Sequence, residues 1–353
     1  MSSESTQADP VVILPRVVVL LLGLAGAFVA VFGMRSMSGL IGGTFLALVF
    51  TVAVHPLRGW TERKGLPAWV GGVLGIVLIY LVLIALTVAL IVAVARFATL
   101  VPHYKSQIDD QLANLTNWLS HMGIDRKQID SIEASLSPDK LVTLAGSFIN
   151  ALIGVISSFF FVVTLVLFMV MDAVHIPSKL THLPPERQLL VGALSDFAST
   201  TRKYLIVSTV FGLIVAIADV GALLVIGVPV ALLWGLLSFI TNYIPNIGFI
   251  IGVVPPAVIG LLEGGPKMAL AVVISYSVIN FVIQSVIQPK IVGDSVGLSA
   301  TLTMISLVFW AFTLGAIGAL MAVPLTLLVK ALLVDSDARL RWLDPLLAGA
   351  PRG

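Results

Sequence analysis

The chain has 353 residues, 58% of them hydrophobic and only 11% charged, with a formal net charge of +2 and no cysteine. Soluble domains carry about 25% charged residues, so this composition, with a mean hydropathy of +1.08, excludes an ordinary soluble fold and places the chain in a bilayer. The small net charge gives no argument for nucleic acid as a partner, and the lack of cysteine excludes a disulfide framework, a thiolate metal site and a cysteine nucleophile.

Residues 1–10 form a polar tail without a basic n-region. The apolar run at 11–32 exceeds the ~7–15 residues of a signal-peptide core, and a second run at 37–54 follows it, so 11–32 reads as a retained first span. A tight turn around Arg35 is expected between the two. A short loop at 55–67 carries Arg58, Arg63 and Lys64, and a third apolar helix at 68–95 ends near Arg96, whose long side chain can snorkel to the interface. Residues 11–100 thus make a three-span scaffold region. From 101 to 140 the chain turns polar, with Ile108, Leu112, Leu115, Leu119 and Met122 at helical spacing, which predicts an amphipathic extracytoplasmic segment. A fourth span at 141–171 leads into a second amphipathic segment at 172–203, cytoplasmic, where Pro184-Pro185-Glu186 resembles a helix start and Leu190, Ala193, Leu194 and Phe197 form an apolar stripe. Residues 204–226 span again.

The stretch at 228–262 is apolar enough for membrane, yet Asn242-Tyr243-Ile244-Pro245-Asn246-Ile247-Gly248 cuts it in two. Neither half approaches the ~20 residues needed to cross ~30 Å of hydrocarbon. Broken backbone at that depth is tolerated only inside protein or beside a watery cavity, so a re-entrant helical hairpin is expected. A sixth span at 267–288 ends at Pro289. The broken pattern then recurs, with a short half at 299–312, an interruption at Thr313-Leu314-Gly315 and a second half at 316–333. Laid over each other at an offset of about 70 residues, the two hairpins place Ile247-Gly248 on Ile317-Gly318 and Pro245 on Gly315. Each unit, 204–265 and 266–334, is one span plus one hairpin. A unit that crosses once leaves its successor upside down, the layout of an inverted-topology repeat. The expected fold is all-α, a polytopic membrane protein with six full spans plus two re-entrant hairpins, closed by a cytoplasmic tail at 335–353. With the N-terminus inside, thirteen of the 20 basic residues lie on the cytoplasmic side, which places both termini there.

Asn242 and Asn246 flank the first interruption. Free N–H groups of the half-helix that starts there favour an anion or a polar oxygen; helix-end capping is the alternative role of both asparagines. Pro245 lacks a donor and marks the break, and Gly248 follows it. At the second interruption Thr313 offers a hydroxyl and Gly315 an open backbone, with Trp310 one turn earlier read as packing. Ser277, Asn280, Gln284 and Gln288 lie at i, i+3, i+7 and i+11, one polar stripe on a membrane helix. The stripe serves either a pathway or interhelical hydrogen bonding, and Asn280 is its best candidate for touching a substrate. The expected substrate-binding set is Asn242, Pro245, Asn246, Gly248, Asn280, Gln284, Thr313 and Gly315. Asp219 is the only carboxylate well inside an expected span. A charge at mid-bilayer costs about 2.5–3.5 kcal/mol, so Asp219 must face a cavity or be protonated. It is the candidate for proton or ion coupling, or else a neutral, hydrogen-bonded acid near the outer interface.

There is no HExxH and no P-loop. Ile291-Val292-Gly293-Asp294 lacks the first glycine of an intramembrane aspartyl protease, and the five histidines do not cluster at ligand spacing. No catalytic residue, cofactor or metal is expected.

Tyr243-Ile244-Pro245-Asn246-Ile247-Gly248 with Gly252 and Pro255, Asn280-Phe281-Val282-Ile283-Gln284 running to Gln288-Pro289-Lys290-Ile291-Val292-Gly293, and Phe309-Trp310 through Gly315-Ala316-Ile317-Gly318 to Ala322-Val323-Pro324-Leu325 together resemble the core signature of the autoinducer-2 exporter family. They cover about the C-terminal two-fifths of the chain; the N-terminal half agrees in layout. The resemblance implies a multi-pass permease of the bacterial inner membrane, a homo-oligomer with a pentamer within its range, and an elevator-type moving domain that carries both hairpins. Asp219 lies outside the signature. Family members divide between export of autoinducer-2 and exchange of sodium or potassium for protons. One intramembrane acid is fewer than the carboxylate pair that cation antiporters usually use. The expected function is therefore export of a small polar, uncharged solute such as autoinducer-2, with a monovalent cation/proton antiporter as the alternative. A non-transporting membrane scaffold is the reading from a different class.

Overall fold

Helix is the only regular structure among the residues that the computed structural model describes, 15–100, 161–173, 184, 187–245, 247–292 and 297–347. The first half supplies α1 (Arg16–Ser36), α2 (Ser38–Arg63), α3 (Ala68–Leu100) and α4 (Phe161–Ala173). α5 (Gln188–Ile226) and α6 (Ala231–Thr241) follow. α7 (Ile247–Asn280) continues through a π-helical stretch, Phe281–Ile287, into a last α turn, Gln288–Val292. α8 (Ala300–Leu320) and α9 (Ala322–Lys330) come next, α9 running on as a π turn over Ala331–Asp335. Short turns at Arg341–Leu343 and Asp344–Leu347 follow. The amphipathic segment expected at 101–140 lies outside the described residues, as does most of the span expected at 141–171.

Six of these helices are long and apolar enough to cross a membrane. Large apolar side chains such as Leu24, Val225, Leu232 and Ile291 stand on the outer surface, where water would penalise them and lipid would not. The protein is thus an all-helical, multi-pass membrane protein. Two of the six helices are bent by a left-handed glycine. Gly265 (φ 69°) divides α7, and Gly315 (φ 67°) divides α8. Glycine adopts that conformation without the penalty of a side chain. The interruption expected at 313–315 thus falls on Gly315.

α5 is the axis of the assembly, touching α2, α6, α7 and α9. One core joins Phe45 and Val49 of α2 to Phe197 and Tyr204 of α5, Leu307 and Trp310 of α8, and Val323 and Leu325 of α9. A second core holds Leu223, Trp234, Val253, Val272 and Tyr276 between α5, α6 and α7. A third packs Ala47, Ile79, Val162 and Val166 between α2, α3 and α4.

Several boundaries differ from expectation. The first turn is at Met37, after Arg35, because α1 runs on to Ser36 and Arg35 lays its guanidinium on the Phe312 ring, 4.4 Å from the centroid. Residues 55–63 are helix, not loop. Pro56 is carried inside α2, held by the Arg58–Glu62 ion pair (2.7 Å) and by a close crossing with α3, where a Cβ on Gly71 would come 2.5 Å from both the Arg58 Cα and the Thr61 hydroxyl. The turn follows at Gly65, φ 76°. From Gln188 onward the expected amphipathic segment is continuous with the next span as one 39-residue helix, about 58 Å long at 1.5 Å per residue. Its stripe residues Ala193 and Phe197 are buried in the first core rather than laid on lipid. Pro289 does not end its helix. It sits in the first turn after the π-helical stretch, where a missing donor costs least.

Candidate functional site

The break after α6 is a series of tight turns. Asn242 N–H donates to the Ser238 carbonyl, Ile244 N–H to Thr241 and Gly248 N–H to Ile244. The chain doubles back so closely that a Cβ on Gly248 would stand 1.9 Å from the Thr241 carbonyl oxygen. The second broken unit has the same device, since a Cβ on Gly318 would stand 2.0 Å from the Trp310 carbonyl oxygen. Only glycine permits either approach. The tip is held from outside by two tyrosines. Tyr204 donates its hydroxyl to the Tyr243 carbonyl (2.8 Å), and the Tyr243 hydroxyl meets Thr209 at 2.7 Å.

Three of the expected residues come together on the polar side of this tip. Asn242 donates to the Ser208 carbonyl of α5 (3.1 Å) and accepts from Gln284 Nε2 (2.8 Å). Gln284 Nε2 also reaches Asn280 Oδ1 at 2.6 Å, and Asn280 donates to the Tyr276 carbonyl at 2.9 Å. Gln284 lies inside the π-helical stretch, the kind of local widening that recurs at functional sites. All three side chains are half-buried, so the network is reachable rather than sealed. Pro245 is half-buried in the turn and Gly248 is buried at the crossing. Asn246 lies outside the described residues.

The remaining candidates do not join the network. Thr313 is 1% exposed and gives its hydroxyl to the carbonyls of Phe309 and Trp310 in its own helix; a membrane helix satisfies a lone hydroxyl most simply that way. Gly315 is exposed, with open space around its missing Cβ. Ser277 is exposed too, and Tyr276 takes the inward position beside it. The second broken unit meets the first tip through apolar contact, Tyr243, Ile244 and Ile247 packing on the core that holds Leu307, Trp310 and Leu314. Trp310 is a packing residue, as expected, with its indole N–H on the Thr326 hydroxyl at 3.0 Å.

Asp219 is 0% exposed, between α5 and α6. Ser238 donates to its Oδ2 at 2.5 Å. Among the described residues its Oδ1 has no hydrogen-bond partner, and the same holds for the hydroxyl of Tyr276, 1% exposed and near enough for the Asp219 charge to act on it. A buried carboxyl with one oxygen held and the other open can take up a proton or face a cation. This second polar cluster is separate from the Asn242 network but shares helices with it. Ser238 lies one turn before Asn242, and Tyr276 lies one turn before Asn280.

The sequence profile of the AI-2E family transporters matches residues 17–336. The chain belongs to the AI-2E transporter family. Members of this family are transporters and not enzymes. Among its relatives, the AI-2 transport protein TqsA of Escherichia coli is 29% identical over 324 residues, 92% of this chain and 93% of the relative. The protein YhhT of the same organism is 28% identical over 311 residues, 88% and 89%. A Haemophilus influenzae relative is 30% identical over 329 residues, 90% and 92%.

Within this AI-2E member, sequence reasoning missed Ser208, Thr209, Ser238 and Tyr276. Hydroxyl groups and carbonyls carry no periodic signature. The usable signal was the position of Ser238 and Tyr276 four residues before Asn242 and Asn280, on the same helical face. Gly212 was missed as well. A Cβ there would come 2.7 Å from Asn242 Nδ2, so Gly212→Ala should push the amide off the Ser208 carbonyl. Alanine gains about 1 kcal/mol of helix propensity, which offsets the ~0.6 kcal/mol of one intramembrane hydrogen bond. The expected result is an unchanged unfolding temperature with transport reduced as far as in Asn242→Ala, measured in reconstituted vesicles.

Proposed function

We propose that this AI-2E transporter exports a small polar solute, autoinducer-2 or a compound of similar polarity, across the bacterial inner membrane. The observation that supports this most directly is the Asn242–Gln284–Asn280 network, in which helix-break backbone and a π-helical turn present amide groups beside one another. Neutral amides recognise hydroxyl and carbonyl groups and hold no net charge against them. The name of the TqsA relative points to the same cargo. In this reading the two broken units, 204–265 and 266–334, are inverted repeats whose re-entrant hairpins move together against the 11–100 scaffold in an elevator motion. The protein works as a homo-oligomer, with both termini cytoplasmic. Asn246, Pro245 and Gly248 shape the tip, while Thr313 and Gly315 shape the opposing one.

Uptake into everted vesicles tests the assignment. Gln284→Leu removes both hydrogen bonds of the bridging amide, at a stability cost of about 1 kcal/mol, and is expected to lower autoinducer-2 movement tenfold or more. Unchanged transport in Gln284→Leu and Asn242→Ala alike would sink this reading. One observation favours a second reading, a monovalent cation/proton antiporter, namely the open Oδ1 of Asp219 in the membrane core. Dissipation of a pH gradient on adding sodium or potassium, with no autoinducer-2 movement, would select it.

A further inference from the structure

The last helical turns, Arg341–Leu343 and Asp344–Leu347, take no part in the site, yet they are tied to both ends of the second broken unit. The Leu347 carbonyl accepts the Ser299 N–H at 2.9 Å, at the start of α8. Asp344 Oδ1 accepts from Lys330 Nζ at 2.6 Å, at the end of α9. The same ammonium reaches both oxygens of Asp335, at 2.8 and 3.1 Å. A lysine has three donors, so these contacts engage Lys330 fully. With a side chain only 17% exposed, it pins the turns across the two helix ends like a clip.

The clip turns its large apolar groups away from the protein. Leu343 and Leu347 are half-buried, whereas Trp342 and Leu346, one turn apart, are 66% and 69% exposed. The patch continues into Leu332 and Leu333, both exposed in the π turn that lies against Arg341–Leu343. Water would penalise such a patch. Its depth says what covers it instead. α8 is long and apolar enough to cross a membrane, so its first residue stands at a membrane face, and the Ser299–Leu347 bond holds the clip at that level. Tryptophan is enriched there because its ring is apolar and its N–H is wet. Arg339, exposed just before the clip, suits the phosphates of the same layer. A protein partner would need an interface of about 1,000 Å², far more than a patch of a few side chains offers.

We propose that Trp342 and Leu346 lie in the headgroup layer of the bilayer, so that the last turns form a membrane-surface clip across the start of α8 and the end of α9. The full chain, reconstituted in vesicles of phosphatidylcholine and phosphatidylglycerol, tests this without any cargo. The fluorescence lost in Trp342→Phe separates the Trp342 signal from those of the other five tryptophans. Phosphatidylcholine brominated near the glycerol end of its chains is expected to quench that signal about twofold, while acrylamide on both sides of the membrane reaches it little. Quenching by acrylamide without quenching by the brominated lipid would place Trp342 in water and overturn the proposal. Protection from both quenchers would place it under a second copy or another protein surface, and would overturn it too. Asp344→Asn removes the tie to Lys330 and leaves Asp335 in place. Trypsin should then cut after Arg339 roughly fivefold faster in detergent, and an unchanged rate would show that Lys330 does not hold the clip.

Discussion

Gly248→Ala and Gly318→Ala are each expected to be strongly destabilising, although each adds only one methyl group. The new Cβ would lie 1.9 Å from the Thr241 carbonyl oxygen in one and 2.0 Å from the Trp310 carbonyl oxygen in the other. No rotamer relieves a clash between Cβ and backbone, so the two halves of the unit must separate. Overpacking in a close-packed interior costs about 1–3 kcal/mol even where side chains can yield. With backbone on both sides, a loss near the upper end is expected, roughly 4 °C in Tm for a chain of 353 residues. Gly221→Ala is the control, since open space surrounds its missing Cβ; it should be neutral or mildly stabilising by helix propensity. Thermal unfolding of the detergent-purified protein reads all three. If Gly248→Ala and Gly318→Ala melt with Gly221→Ala, the doubled-back geometry of the breaks is wrong.

Asp219→Asn is expected to act on coupling instead of folding. Asparagine keeps an oxygen for the Ser238 hydroxyl and removes the acid whose Oδ1 is open. Stability should change by no more than about 1 kcal/mol, the worth of one hydrogen bond. Transport driven by a pH gradient should fall tenfold or more, whichever solute moves, while passive exchange of that solute continues. A structural role for Asp219 predicts the reverse, a lower Tm with coupling intact. Gln284→Leu is expected to lower cargo recognition instead, so the two variants would separate recognition from coupling.

The breaks were legible because they violate a simple rule. A run such as Leu232-Leu233-Trp234-Gly235-Leu236-Leu237 needs no polar punctuation in lipid, so Asn242 and Pro245 stand out at once. Asn280 and Gln284 stand out for the same reason, and the structure joins both to Asn242. Helix ends were less legible. Residues 55–67 read as a loop and Pro289 as a stop, but α2 runs on to Arg63 and the helix passes Pro289, because the crossing at Gly71 and the π-helical turn before Pro289 supply what local propensity lacks. The polar stretch before Tyr204 looked like a separate surface segment, yet tertiary packing of Ala193 and Phe197 makes it the start of α5. The π-helical stretch itself leaves no mark in Phe281-Val282-Ile283-Gln284. It moves the side chains after Asn280 out of the register that a spacing of i, i+7, i+11 assumed.

α5 has a mechanical consequence. The directional bonds around the site, Tyr204 to Tyr243, Asn242 to Ser208, Ser238 to Asp219 and Gln284 to Asn242, bind α5, α6 and α7 to one another. Where α5 and α8 meet α2, the contact is made by Phe45 and Val49 against Phe197, Leu307 and Trp310. Apolar surfaces trade partners at little cost as they slide, because dispersion has no preferred direction, whereas each hydrogen bond must break before it can re-form. Under the proposed elevator motion, the first set of helices would travel as one unit and the α2 face would be the surface it slides on.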